Sequence, residues 1–280
     1  MKNLIIGYSP CPNDTFIFYA LTHARIDCGD LRFRERLEDV ETLNRLALGA
    51  ELDITKISYH AFGHLRRHYR LLSSGSALGR RCGPLLIAAE ADNPKSLRGK
   101  KIAIPGRLTT AFLLLQLYDK SLAENTVEMP FNEIVKAVAE RKVDAGLIIH
   151  ESRFTYSGFG LVSLLDLGRW WEGETGLPIP LGGILVRQSI GTELINQIER
   201  LVELSVSYAL EHPDEPEAYI KKHSQELDDS VIRRHIGLYV NKFTVNLGYE
   251  GREAIKELLS RAEKLEIIPK ASLAKPGLYE

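Results

Sequence analysis

The sequence predicts an α/β protein of two lobes followed by a helical C-terminal tail. Three observations carry that expectation. Short apolar runs alternate with amphipathic stretches through the first two thirds of the chain, the alternation restarts near Asn93, and from Thr192 to Arg261 the pattern is helical.

In order, NLIIGY reads as a first strand, SPCP as a turn, and the stretch from about Asp14 through FIFYALTHA as a helix. LRFRERL alternates as a second strand. Asp39 is placed to cap VETLNRLAL, which stops at Gly49, a natural C′ residue. LDITKIS is a third strand, YHAFGHLRRH a helix, and YRLLSS and GPLLIAAE are further extended segments of a mostly parallel sheet. The second cycle runs through KKIAIP (strand), TTAFLLLQLYD (helix), TVEMP (strand), FNEIVKAVAERK (helix), DAGLIIH (strand) and LVSLLDL (strand). A Gly- and Pro-rich passage, TGLPIPLGG, then leads into ILVR. The tail reads as helices over ELINQIERLVELSVSYALEH, PEAYIKKH, SVIRRHIGLYVNKF and REAIKELLSRAEKL. Crossings near residues 88–93 and 180–186 divide the chain into a discontinuous larger lobe, 1–90 plus 186–280, and a smaller lobe, 91–185. A ligand cleft is expected between them, where strand ends meet helix starts.

Bulk properties exclude several classes of function. A formal net charge of −1 over 280 residues argues against a nucleic-acid binder, which needs a clustered basic excess. No window approaches 18 uninterrupted apolar residues, so no membrane span is expected. MKNLIIGYSPCPND lacks a signal-peptide core and cleavage site. Cys11, Cys28 and Cys82 are widely spaced with no CxxC pair, which points away from zinc or a disulfide framework and toward a reducing cytoplasm.

Three strand ends carry chemistry. TKIS (55–58) opens a helix with Ser58 as N-cap, and PGRLTTA (105–111) opens another with Thr109 and Thr110 at its start. Unpaired N–H groups and the helix dipole make such junctions anion sites, and hydroxyls there can cap the helix or donate to a ligand carboxylate. The third end is His150, where the apolar run 145–149 stops. It reads either as a core-edge ring bonded to a carbonyl or as a general base, because imidazole titrates near ~6.5 when unperturbed. Were the strand to continue, Glu151 would point away from His150. Arg153 could grip a carboxylate or form an ordinary salt bridge.

The segments SPCPNDTFIFYAL (9–21), EDVETLN (38–44), DITKIS (53–58), SALGRRCGPLLIA (76–88), PGRLTTAFLLL (105–115), GLIIHESRFTY (146–156) and TGLPIPLGGIL (175–185) together resemble the 1,4-dihydroxy-6-naphthoate synthases, menaquinone-biosynthesis enzymes of the futalosine route. The resemblance runs from residue 4 to about residue 250. It implies a periplasmic-binding-protein-like (type II) fold and a lyase that converts cyclic dehypoxanthine futalosine to 1,4-dihydroxy-6-naphthoate and a small sugar-derived fragment. It implies His150 as the base, with Lys56, Ile57, Ser58, Thr109 and Thr110 contacting a small carboxylate substrate, and no cofactor or metal. Chorismate dehydratase, the sister enzyme of that route, resembles the chain more loosely. A solute-binding protein is the alternative of another class; the missing export signal and a base at the cleft floor speak against it.

Other features have plainer readings. His60, His64 and His68 share a zinc-compatible spacing but sit among arginines, so a solvated polar face is expected. Cys11 precedes a helix start, where a thiol pKa can fall, yet reads as a packed or cleft-lining residue; together with Glu151 it is also a candidate second acid or base. Asn13 or Asp14 is the expected N-cap of that helix, and Asn13 could also touch ligand. Trp170 and Trp171 can stack on an aromatic ring but read as hinge packing. Ile198, Leu201, Val202, Leu204, Ser205 and Tyr208 form a core-covering, and possibly homodimer-forming, face with no chemistry attached.

Overall fold

The computed structural model describes residues 1–90, 93–225 and 228–270. Two mixed sheets are built in succession. The chain lays down β1 (Lys2–Tyr8), α1 (Pro12–Thr22), β2 (Leu31–Leu37), α2 (Val40–Leu48), β3 (Ile54–Ser58), α3 (Tyr59–Leu65), β4 (Tyr69–Leu71) and β5 (Ala77–Gly79). It then crosses to β6 (Leu85–Ala88), β7 (Ile102–Ile104), α4 (Thr110–Tyr118), β8 (Thr126–Glu128), α5 (Phe131–Ala139), β9 (Ala145–Ile148), α6 (Ser152–Thr155), β10 (Val162–Asp166) and α7 (Leu167–Thr175). It returns through β11 (Ile179–Arg187) and ends in α8 (Thr192–Glu211), α9 (Glu217–His223), α10 (Asp229–Tyr239), α11 (Lys242–Val245) and α12 (Gly248–Lys264).

The first sheet has the order β2-β1-β3-β11-β4, with β5 also paired to β11; the second has the order β10-β6-β9-β7-β8. Only the βαβ units are parallel, β1 with β2 and β3, and β7 with β8 and β9. The strands that cross between sheets run antiparallel to their neighbours, β6 against β9 and β10, β11 against β3, β4 and β5. The expected mostly parallel sheet is therefore corrected to a mixed one. A strand arriving from the other sheet enters from the opposite end.

The crossings also fall earlier than the sequence places them. β6 belongs to the second sheet although it lies within 1–90, and β11 belongs wholly to the first although most of it lies within 91–185. β6 is a fully apolar buried run and β11 is apolar and mostly buried up to Arg187, and such a run carries no signal of which sheet it joins. Residues 91 and 92, inside the expected first crossing, lie outside the described residues.

Local chemistry sets the helices. Asp39 caps α2 as expected, accepting from the N–H groups of Glu41 (2.9 Å) and Thr42 (3.1 Å). The left-handed residue after α2 is Ala50 (φ 54°) and not Gly49. On α5, Phe131, Ile134, Val135 and Val138 recur at helical spacing and cover the second sheet through Leu85, Ile87 and Ala103. α8 buries Ile198, Val202 and Val206 against Phe16, Phe18 and the first sheet. The Ser205 hydroxyl donates to Ile17 O (2.7 Å) and accepts from Leu21 N (3.1 Å), tying α8 to α1. Leu204, expected on the same covered face, is exposed. Among the described residues no helix is long and apolar enough to cross a membrane.

Candidate active site

A cleft of about 680 Å³, its mouth included, opens between the two sheets. Every site residue expected from the sequence reaches it: Lys56, Ile57, Ser58, Thr109, Thr110 and His150. β3 supplies the first three at its C-terminal end. There it lies against the β11 glycines, Ser58 opposite Gly182 and Ile57 opposite Gly183. A Cβ at Gly182 would stand 2.6 Å from Ile57 O, so Gly182→Val should push β3 off register and lower thermal stability, a loss that calorimetry measures.

The hydroxyls act differently from one another. Thr109 caps α4: its oxygen accepts from Phe112 N (3.2 Å) and its proton goes to Gly106 O (2.7 Å). Thr110 donates to Leu181 O (2.5 Å) and accepts from His60 N (3.4 Å). Of the two roles open to these hydroxyls, capping the helix and donating to a ligand, the geometry leaves no proton for the second: both are spent on carbonyls. What the junction offers instead is the first-turn N–H groups of Thr110 and Ala111, which have no carbonyl one turn back to bond. Ser58 sits at the N-cap position of α3 without capping it. Its oxygen accepts from Asn44 Nδ2 (3.2 Å), which leaves its own proton to donate into the cleft.

Lys56 is buried and ion-paired with Asp14 at 2.9 Å, and it donates also to Gly75 O (3.0 Å). An ammonium has three protons, so one remains for a ligand. Asp14 is held further by Ser9 Oγ and Asn13 Nδ2, both at 2.9 Å. The N-cap of α1 is Cys11, with Pro12 in the first turn; the expectation of Asn13 or Asp14 at that position is corrected, because proline takes the start of the helix and moves both inside it.

His150 lies just past β9 with φ 56°, a left-handed conformation that residues with a Cβ rarely adopt. The strand does not continue, so Glu151 does not alternate away. The turn instead buries Glu151, and its carboxylate, a His150 ring nitrogen and Cys11 Sγ all lie within 4.8 Å of one another. Burial, opposed by Asp14 and reinforced by Lys56, pushes the His150 pKa down to about 4. At neutral pH this ring is an unprotonated acceptor facing the cleft. Cys11 departs from the lowered thiol pKa that its place at a helix start suggests: burial, the largest cause, raises it well above the ordinary value. Arg153 binds Asp166 (2.7 Å) and Gly83 O (2.5 Å), the ordinary salt bridge.

His60 is no solvated residue. It is buried, and its Nδ1 lies 3.3 Å from Thr109 O; His68 is outside α3. Desolvation, then His64, push the His60 pKa down to about 4. His60, His150 and His235, whose pKa is also lowered, all bind a proton more readily unfolded than folded. Stability is therefore unaffected by them above ~6.5 and falls as pH drops from ~6.5 toward 4, so the urea midpoint should decrease across that window. Trp171 is fully buried, with Nε1 donating to Pro178 O (3.0 Å), and neither Trp170 nor Trp171 lines the cleft. Sequence reasoning missed Ser9, Asn44 and His235, and read Asp14 as a cap. Val40, Leu43, Ala77 and Pro84 give the cleft apolar walls beside these polar groups.

Over residues 4–264 the sequence matches the family described as menaquinone biosynthesis. The chain belongs to the menaquinone-biosynthesis family. Within that family it is 50% identical over 264 residues to the 1,4-dihydroxy-6-naphtoate synthase of Thermus thermophilus, covering 94% of this chain and 95% of that one. The synthase of the same name from Streptomyces coelicolor is 44% identical over 270 residues, covering 95% of each. Among solved structures, a protein from Archaeoglobus fulgidus superposes with a TM-score of 0.89 at 40% identity, covering 95% of this chain and 98% of that one. The aliphatic sulphonate-binding protein of Escherichia coli superposes with a TM-score of 0.64 at 13% identity, covering 96% of this chain and 89% of that one, which establishes the periplasmic-binding-protein-like fold. The family's fold and the expected one agree.

Proposed function

We propose that this protein is a 1,4-dihydroxy-6-naphthoate synthase: a cytoplasmic carbon–carbon lyase that cleaves cyclic dehypoxanthine futalosine in menaquinone biosynthesis. The observation that carries this reading is the convergence, in one cleft, of an unprotonated imidazole with a lysine and a helix N-terminus suited to a carboxylate. The substrate carboxylate sits against Lys56 Nζ, the Ser58 hydroxyl and the α4 N-terminus, which orients the ring system between the apolar walls. His150 then removes a proton bound to carbon beside a carbonyl. The electrons left behind break the carbon–carbon bond to the sugar-derived fragment, which leaves with that bond's electron pair and is protonated by the His150 imidazolium, and formation of the aromatic diol drives the step forward. Closure of the cleft excludes water and strengthens each of these interactions.

Two curated relatives bearing the synthase name support this choice over chorismate dehydratase. The decisive assay incubates the pure protein with cyclic dehypoxanthine futalosine and looks for the naphthoate. Product formation is expected; tight binding of small acids without turnover would return the solute-binding reading.

A further inference from the structure

We propose that His235 is a positioning residue for His150, acting through Glu151: its Nδ1 accepts the proton of a neutral Glu151 carboxyl group and so holds the turn that aims the His150 ring into the cleft. The proposal rests on the general-base reading of His150.

The tautomer of His235 follows from a chain of donors and acceptors that begins at Asp14. That carboxylate takes protons from Ser9 Oγ, Lys56 Nζ and Asn13 Nδ2, each at 2.9 Å. A carboxylate only accepts, so Asn13 must turn its NH2 group toward it. The Asn13 carbonyl then faces His235 Nε2 at 2.8 Å, and a carbonyl also only accepts. Nε2 therefore carries the proton, and in a neutral ring Nδ1 is a bare lone pair. His235 is wholly buried, and among the described residues this Nδ1 has no hydrogen-bond partner. Buried acceptors are almost always paired. The group it faces is Glu151 Oε2, at 3.9 Å. Two lone pairs confronting each other away from water repel, whereas one proton between them makes a hydrogen bond. At 3.9 Å the two side chains must approach by roughly 1 Å to make that bond.

The alternative is an ion pair, with Glu151 ionised and His235 doubly protonated. The surroundings disfavour charge on that ring. Among the described residues, those beside it include His150, stacked parallel at 6.1 Å, Tyr239 and Phe154 as aromatic neighbours, the second with the Arg234 guanidinium over its ring, and Cys11 beside Glu151. Lys56 and Asp14 neutralise each other beyond Asn13, and Arg153 is held by Asp166. Burial and His150 both lower the affinity of His235 for a second proton. The link to His150 is covalent and immediate. Its left-handed backbone persists only where neighbours over-determine it, and anchoring the next side chain does so.

His235→Asn and Glu151→Leu should each lower kcat about 10–100-fold with KM little changed, the effect of misplacing a reacting group by about 1 Å. Glu151→Gln, whose amide can donate to the same Nδ1, should recover most of the native kcat. Independently of turnover, 15N NMR of the native chain at neutral pH should find His235 protonated at Nε2 alone. A doubly protonated His235, or a Glu151→Gln enzyme as slow as Glu151→Leu, overturns the proposal. Should His235→Asn fail to fold, the NMR result on the native protein still decides. Full turnover by His150→Ala would defeat the base reading while leaving the tautomer result standing, so the two failures are distinguishable.

Discussion

His150→Ala is expected to abolish conversion of cyclic dehypoxanthine futalosine to the naphthoate while leaving affinity for that product largely unchanged. The split follows from what the ring touches. On the proposed reading the carboxylate is bound by Lys56, Ser58 and the start of α4, which line the same cleft and are not altered. What disappears is the proton acceptor, and one positioned base contributes about 10²–10⁴-fold. The pH profile gives a second check. A base active in its neutral form fails when protonated, and His150 is held down to about 4 by burial. The acid limb of kcat/KM should therefore lie below the ~6.5 of an ordinary imidazole, and that limb should be the one lost on substitution. Steady-state kinetics and calorimetric titration with the naphthoate measure both halves. Turnover close to native in the alanine variant would remove His150 from the mechanism.

Much of this site was legible in the sequence because it is built where elements end. An apolar run that stops at a histidine, a strand that stops at Ser58 and a helix that opens on TT announce themselves within a few residues. The same locality explains the errors. Thr109 and Thr110 look alike in sequence, yet one caps its own helix and the other bonds Leu181, a partner 71 positions away. His60 sits among arginines along the chain but against Thr109 in space. Asp14 reads as a cap along the chain because its partner, Lys56, is 42 residues distant, and nothing near His235 marks it because Asn13 is 222 residues distant. Contacts of that range leave no periodicity to read. The sheets show the same limit: β6 is recognisable as extended and β11 only from its ILVR end, and nothing local in an apolar run states its direction or its sheet.

The buried Lys56–Asp14 pair should show the largest stability effect of any substitution in the cleft, and a double substitution separates that effect from binding. Both side chains are under a tenth exposed, so Lys56→Met leaves a buried carboxylate without its counter-charge. Breaking one side of such a pair costs about 3–5 kcal/mol. For a chain of this size each kcal/mol lowers Tm by roughly 2–4 °C. Asp14→Leu combined with Lys56→Met removes both charges together, and a paired replacement by apolar groups is often near neutral because the desolvation cost disappears with the attraction. The double variant should therefore regain most of the lost Tm. It should not regain naphthoate binding, because the third ammonium proton is gone with the lysine and Asn13 has lost the carboxylate that orients it. Scanning calorimetry and product titration on the same three proteins read the two effects separately. A double variant that recovers both stability and affinity would mean that the ion pair only holds the fold, and the carboxylate site would then have to be rebuilt around Ser58 and the α4 N-terminus alone.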